Sequence, residues 1–119
     1  MADQFQGFDS ITIQPGTDAA VYTFTFSICS SATANDGAIP YSDTIVTEAV
    51  KAFGEDGSDV TDEIVDTSSS TTTVVTVALN YPSTSGGGRY SLEFVLTLAS
   101  GAKMEFDFSR LYARDISAE

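Results

Sequence analysis

Apolar and polar residues alternate along most of this chain with a period of two. The clearest run is Tyr90 to Tyr112. Tyr90, Leu92, Phe94, Leu96 and Leu98 share one face, with Ser91, Glu93, Val95 and Thr97 on the other. A Ser100-Gly101 turn follows, and then Met104, Phe106 and Phe108 oppose Lys103, Glu105 and Asp107. This is the pattern of strands with one buried face, and two such runs across a short turn predict a β-hairpin. A slip of one residue would turn the whole apolar set to solvent, so the register is strongly specified.

Other segments repeat the pattern. Ser10 to Ile13 predicts a short strand that ends at Pro15-Gly16. Ala19 to Cys29 predicts a second, with Tyr22, Phe24, Phe26 and Ile28 inward. Thr72 to Tyr81 predicts another, with Val75, Val77, Leu79 and Tyr81 on one face. Thr44 to Phe53 is ambiguous: Glu48 to Ala52 favours helix, whereas Ile45, Val46 and Thr47 favour strand. We read it as a strand, since a lone helix would leave a sheet one member short. Thr61 to Val65 reads as a short edge strand. The Ser/Thr run from Thr67 to Thr71, the stretch Ser30 to Ser42 and the segment Pro82 to Gly88 read as loops.

The sum is about seven strands and no convincing helix, which predicts an all-β fold, an antiparallel two-sheet Ig-like β-sandwich. Residues 1–8 read as an N-terminal arm, 9–115 as the sandwich and 116–119 as a C-terminal tail. A chain of 119 residues is one domain by length. No apolar run approaches the roughly 20 residues of a membrane span, and the first residues do not form a signal peptide. The expectation is a soluble product made in a cytoplasm.

Composition narrows the function classes. The net charge is −12, from 17 acidic and 5 basic residues, with no His. Such a surface repels nucleic acid and anionic lipid. Without His the usual general base is missing, so nucleophilic Ser or Cys chemistry lacks its partner. Cys29, the single cysteine, reads as a small hydrophobe, and no internal disulfide can form. Gly86-Gly87-Gly88-Arg89 lacks the Lys-Ser/Thr and the strand-to-helix setting of a phosphate cradle. No catalytic residue, cofactor or metal ligand is assigned. The acidic run Glu55, Asp56, Asp59, Asp62, Glu63 and Asp66 does not match an EF-hand, although an irregular calcium site stays open beside the plainer reading of a solvated face. Tyr90, at the head of a late strand, stands where sandwiches of this kind carry a hydrogen-bonded corner tyrosine. Candidate protein contacts are Phe5 and Phe8 on the arm, Asn35 and Tyr41 in the long loop, and Arg89, read as part of a mobile Gly-rich loop.

From about Ser42 onward, Asp43-Thr44-Ile45, Asp56-Gly57, Asp59-Val60-Thr61, Gly88-Arg89-Tyr90-Ser91-Leu92 and Ser100-Gly101 occur in order. In these turn and strand-start residues the chain resembles small Ig-like virion structural proteins of tailed bacteriophages. The resemblance covers about two-thirds of the chain. It implies a non-enzymatic connector or adaptor at the neck or fibre-attachment region, located in the virion. Its partners would be other virion proteins (portal or neck, tail fibre or major capsid protein), and it would be multicopy in a symmetric assembly. Two alternatives remain: a capsid decoration protein, and a carbohydrate-binding or adhesion-type sandwich. The lack of Trp counts against the last.

Overall fold

The computed structural model describes residues 5–6, 10–16 and 19–114. They form two four-stranded sheets around one core. The strands are β1 (Phe5–Gln6), β2 (Ile11–Ile13), β3 (Ala20–Phe26), β4 (Ile45–Gly54), β5 (Val65–Ser70), β6 (Val74–Leu79), β7 (Gly88–Leu98) and β8 (Lys103–Ala113). A single helical turn, α1 (Thr61–Ile64), precedes β5. The sheet orders are β1-β3-β6-β5 and β2-β8-β7-β4.

The alternating runs become strands because each has an apolar face to bury. Tyr90, Leu92, Phe94, Leu96 and Leu98 of β7 are all buried, as are Phe24 and Phe26 of β3 and Val75, Val77 and Leu79 of β6. At the centre Phe94 lies between Phe24 and Phe26, with ring centroids 4.8 and 5.7 Å apart. Phe24 also meets Phe108 at 5.6 Å, and Phe26 meets Phe106 at 4.9 Å. These are tilted and edge-on contacts, each worth about 0.5–1.5 kcal/mol beyond simple burial. They couple the two sheets, since β3 belongs to one and β7 and β8 to the other.

Two β-bulges keep the inner face apolar where the alternation changes phase. In β4 the register shifts between Ile45 and Thr47. Ile45, Val50 and Ala52 can then all point inward, while Val46 stays 58% exposed. In β8 Ser109 and Arg110 together oppose Ser91, so that Phe108, Leu111 and Ala113 all reach the core. The β7–β8 turn closes with Leu98 N–H donating to Ala102 O and Gly101 N–H to Leu98 O. Gly101 takes φ +92, as a three-residue hairpin loop with a bulge requires.

Several sequence expectations change. The Thr61 to Val65 segment is mainly the α1 turn rather than an edge strand, because Val60 and Ile64, four apart, both turn into the core. The Ser/Thr run is strand β5 rather than a loop: its backbone completes a ladder with β6, from Val65↔Leu79 to Ser70↔Val75. The arrangement is not wholly antiparallel. β2 runs parallel to β8, pairing Ile11 with Leu111 and Ile13 with Ala113. Within the segment read as an arm, Phe5 and Gln6 pair with Phe26 and Thr25. This pair makes the eighth strand among the described residues.

Candidate functional site

The candidate contact residues do not form one patch. Asn35 and Tyr41 lie in the β3–β4 connection, at the end of the sandwich that also holds the β7–β8 turn. The β1 pairing at Phe26 is at that same end. The side chain of Phe5 and the whole of Phe8 fall outside the described residues. Arg89 sits at the opposite end, near Ala113 and Tyr112. It belongs to β7 rather than to a mobile loop, and its Nε donates to Ser109 O at 3.0 Å across the bulge of β8.

The β3–β4 connection is held at several points. Ile28 and Ile39 make a parallel bridge, and Ala38 and Ile39 are buried. Asp36 accepts the Ser30 N–H at 2.9 Å and the Ser30 hydroxyl at 2.7 Å. Gly37 packs so closely that a Cβ there would sit 2.5 Å from Cys29 N. The Cys29 thiol is half-buried and points to Gly37 O at 3.6 Å, an anchored position consistent with a packing role.

The connection ends in a tight turn, with Asp43 N–H donating to Pro40 O at 3.1 Å. Ser42 takes φ 65 there, the one non-glycine residue with positive φ among the described residues. At the tip Tyr41 is 52% exposed. Asp43 itself is buried and fastens the turn to the β7–β8 hairpin. Its Oδ1 accepts the Thr44 and Ser100 N–H groups at 3.0 and 3.1 Å, and its Oδ2 accepts the Ser100 hydroxyl at 2.5 Å. The Ser100 hydroxyl is the main reason the Asp43 carboxyl is held below the ordinary Asp value.

At the other end the acidic residues are engaged by hydroxyls. Asp56 accepts from Ser58, Asp59 from Thr61 and Glu63 from Ser85, each through a backbone N–H and a side-chain O–H at 2.6–3.0 Å. Those hydroxyl bonds lower all three carboxyl pKa values. Thr61 also receives the Ala52 N–H on its Oγ1 at 3.0 Å, which docks α1 on the edge of β4. Tyr90 donates to Gly86 O at 2.6 Å. Burial, and then the charge of Glu63, raise its phenol pKa. A shallow cleft of about 290 Å3 runs beside it, lined by Gly54, Glu55, Arg89, Tyr90, Ser91 and Ser109. Among the described residues no three His, Cys, Asp or Glu side chains converge to hold a metal ion. The carboxylate oxygens instead cap turns and loops.

Sequence reasoning overlooked these hydroxyl partners. Two of them carry a local signal, since Asp56-Gly57-Ser58 and Asp59-Val60-Thr61 are Asp-x-Ser/Thr turns in which the side chain bonds two residues on. Asp43 and Ser100 lie 57 positions apart and carry none. No family pattern and no curated protein matches the chain.

Proposed function

We propose that the chain is an Ig-like domain serving as a non-enzymatic structural protein of a tailed-bacteriophage virion, a connector or adaptor at the neck or fibre-attachment region. The observation that carries this reading is the strand order together with Tyr90. Ig-like sandwiches arrange their strands A-B-E-D against C-F-G. Here β1-β3-β6-β5 faces β4-β7-β8, with the leading strand divided so that its second half, β2, joins the other sheet beside β8. On that correspondence Tyr90 lies near the start of strand F, with its hydroxyl bonded back to Gly86. This is the scaffold that the turn and strand-start motifs imply.

An adaptor role also agrees with where the chain invests its polar bonds. They rigidify exposed loops at both ends rather than line a deep cavity. Tyr41, carried on a turn clamped by Asp43, is an amphipathic contact on a pre-ordered support, the type of side chain enriched at interfaces. With a net charge of −12, a basic face on a neighbouring virion protein is the natural complement, and nucleic acid is not.

Mass spectrometry of purified particles, followed by immunogold labelling, tests the proposal. Labelling at the neck or fibre base is the expected result. Labelling spread over the capsid would favour a decoration protein, and absence from the particles would end the virion reading.

A further inference from the structure

We propose that β8 is a pairing edge for a second copy of this chain, through a two-fold antiparallel contact centred on Met104. The inference stands on strand geometry and does not depend on the virion reading. On one lateral side the edge strands of the two sheets, β4 and β5, lie against each other, and the Ser68 hydroxyl donates to Glu48 Oε2 at 2.8 Å. Among the described residues the other side is only partly covered. β2 pairs with β8 at Leu111 to Ala113 alone, and among the described residues no strand lies beside Lys103 to Asp107.

The ladder sets the direction of those backbone groups. Leu98 bonds Ala102, and Leu96, Phe94 and Leu92 pair with Met104, Phe106 and Phe108. Hydrogen-bonded pairs alternate along an antiparallel ladder. The N–H and C=O groups of Lys103, Glu105 and Asp107 therefore point away from β7, toward the open side. An open row of this kind templates another strand unless something blunts it.

Charge selects both the partner and the register. Lys103, Glu105 and Asp107 project from the solvated face and are exposed. A two-fold pairing centred on Lys103, Glu105 or Asp107 sets like charge directly against like. Centring on Phe106 sets Glu105 against Asp107 twice. Centring on Met104 sets Lys103 of each copy opposite Glu105 of the other, with Asp107 beside Gly101, and no like charges face each other. Directly opposed charges of opposite sign favour pairing, and like charges disfavour it. The contact also brings the half-buried Met104 side chains together on the inner face. It stops short of Leu111, so β2 keeps its place, and the two sheets join into one that spans both copies. The interface is isologous and closes at two copies.

Sedimentation equilibrium of the full chain at about 0.15 M salt, where the Debye length is roughly 8 Å, tests this. The expected result is a reversible dimer. Glu105→Lys alone and Lys103→Glu alone each weaken it by at least about tenfold, and the double exchange Lys103→Glu/Glu105→Lys restores it. Circular dichroism of each variant checks the fold, and the two single exchanges are independent of each other. A chain that stays monomeric to about 1 mM, well above the range of a specific dimer, overturns the proposal. So does a dimer indifferent to either single exchange, or one that the double exchange fails to restore.

Discussion

Asp43 and Ser100, 57 positions apart in sequence, are fastened through both carboxylate oxygens, with the serine hydroxyl donating at 2.5 Å and its N–H at 3.1 Å. The pair joins the end of the long loop to the β7–β8 turn, so losing either side chain weakens a junction that the backbone bond from Ala99 N–H to Thr44 O also holds. Asp43→Asn and Ser100→Ala should each lower the melting temperature. The double variant should lose clearly less than the sum, because the two residues share one interaction. Strict additivity in thermal unfolding would contradict the fastening.

The same carboxylate sets a pH dependence. Asp43, like Asp36, Asp56, Asp59 and Glu63, has its carboxyl held below the ordinary value, chiefly by a donated hydroxyl. A depressed folded-state value means that the unfolded chain takes up protons first. The stabilisation is therefore complete above the unfolded value of about 4, and it is lost as pH falls through the folded value. Protonation also relieves repulsion within a chain of charge −12, which acts in the opposite sense. Comparison with Asp43→Asn removes that shared background. The gap in melting temperature between wild type and Asp43→Asn should be constant above about pH 5 and close as pH falls below about 4. A gap that persists at the acid end would mean that the charge on Asp43 is not what stabilises.

Tyr90→Phe deletes the donor to Gly86 O while leaving the ring packed. The expected loss is about 1 kcal/mol, read as a lower urea midpoint at unchanged slope. The cleft beside Arg89 should loosen with it, detected as faster amide exchange over residues 85–89.

Phe94 is fully buried between Phe24 and Phe26. Phe94→Ala should remove about 3–5 kcal/mol, a large part of the 5–15 kcal/mol typical of a domain. Equilibrium denaturation measures it. Phe94→Leu should lose less, since more of the volume is kept.

Ser42 carries a side chain at φ 65, where glycine has no steric penalty. Ser42→Gly should raise stability by about 0.5–1 kcal/mol by thermal unfolding. A fall would mean that the Ser42 side chain itself supports the turn.

Most of the sheet content was legible because burial writes itself into side-chain alternation. β3, β6, β7 and the first half of β8 each carry an uninterrupted inner row, and the structure buries Phe24, Phe26, Val77, Leu92 and Leu96 as that row demands. The ambiguous segment at Thr44 to Phe53 is strand β4, blurred by the bulge at Val46 that changes its phase. β5 was missed for a different reason. Val65–Ser70 has no apolar row, and it becomes a strand because β6 offers its backbone a ladder.

Of the candidate contacts, sequence could nominate types of residue but not their neighbourhood. Asn35 and Tyr41 stand at one end and Arg89 at the other, since consecutive strands reverse direction and distribute neighbouring loops between ends. The chain by itself determined a two-sided apolar and polar code, a strongly acidic surface and a hairpin from Tyr90 to Tyr112. Those follow from local period and composition. Tertiary structure alone decided that β2 lies parallel to β8, that Asp43 meets Ser100 and that Arg89 bonds Ser109. It also decided that, among the described residues, no strand pairs with β8 along Lys103 to Asp107. Each depends on which strands become neighbours, and that is settled by packing two whole faces together rather than by any one stretch of sequence.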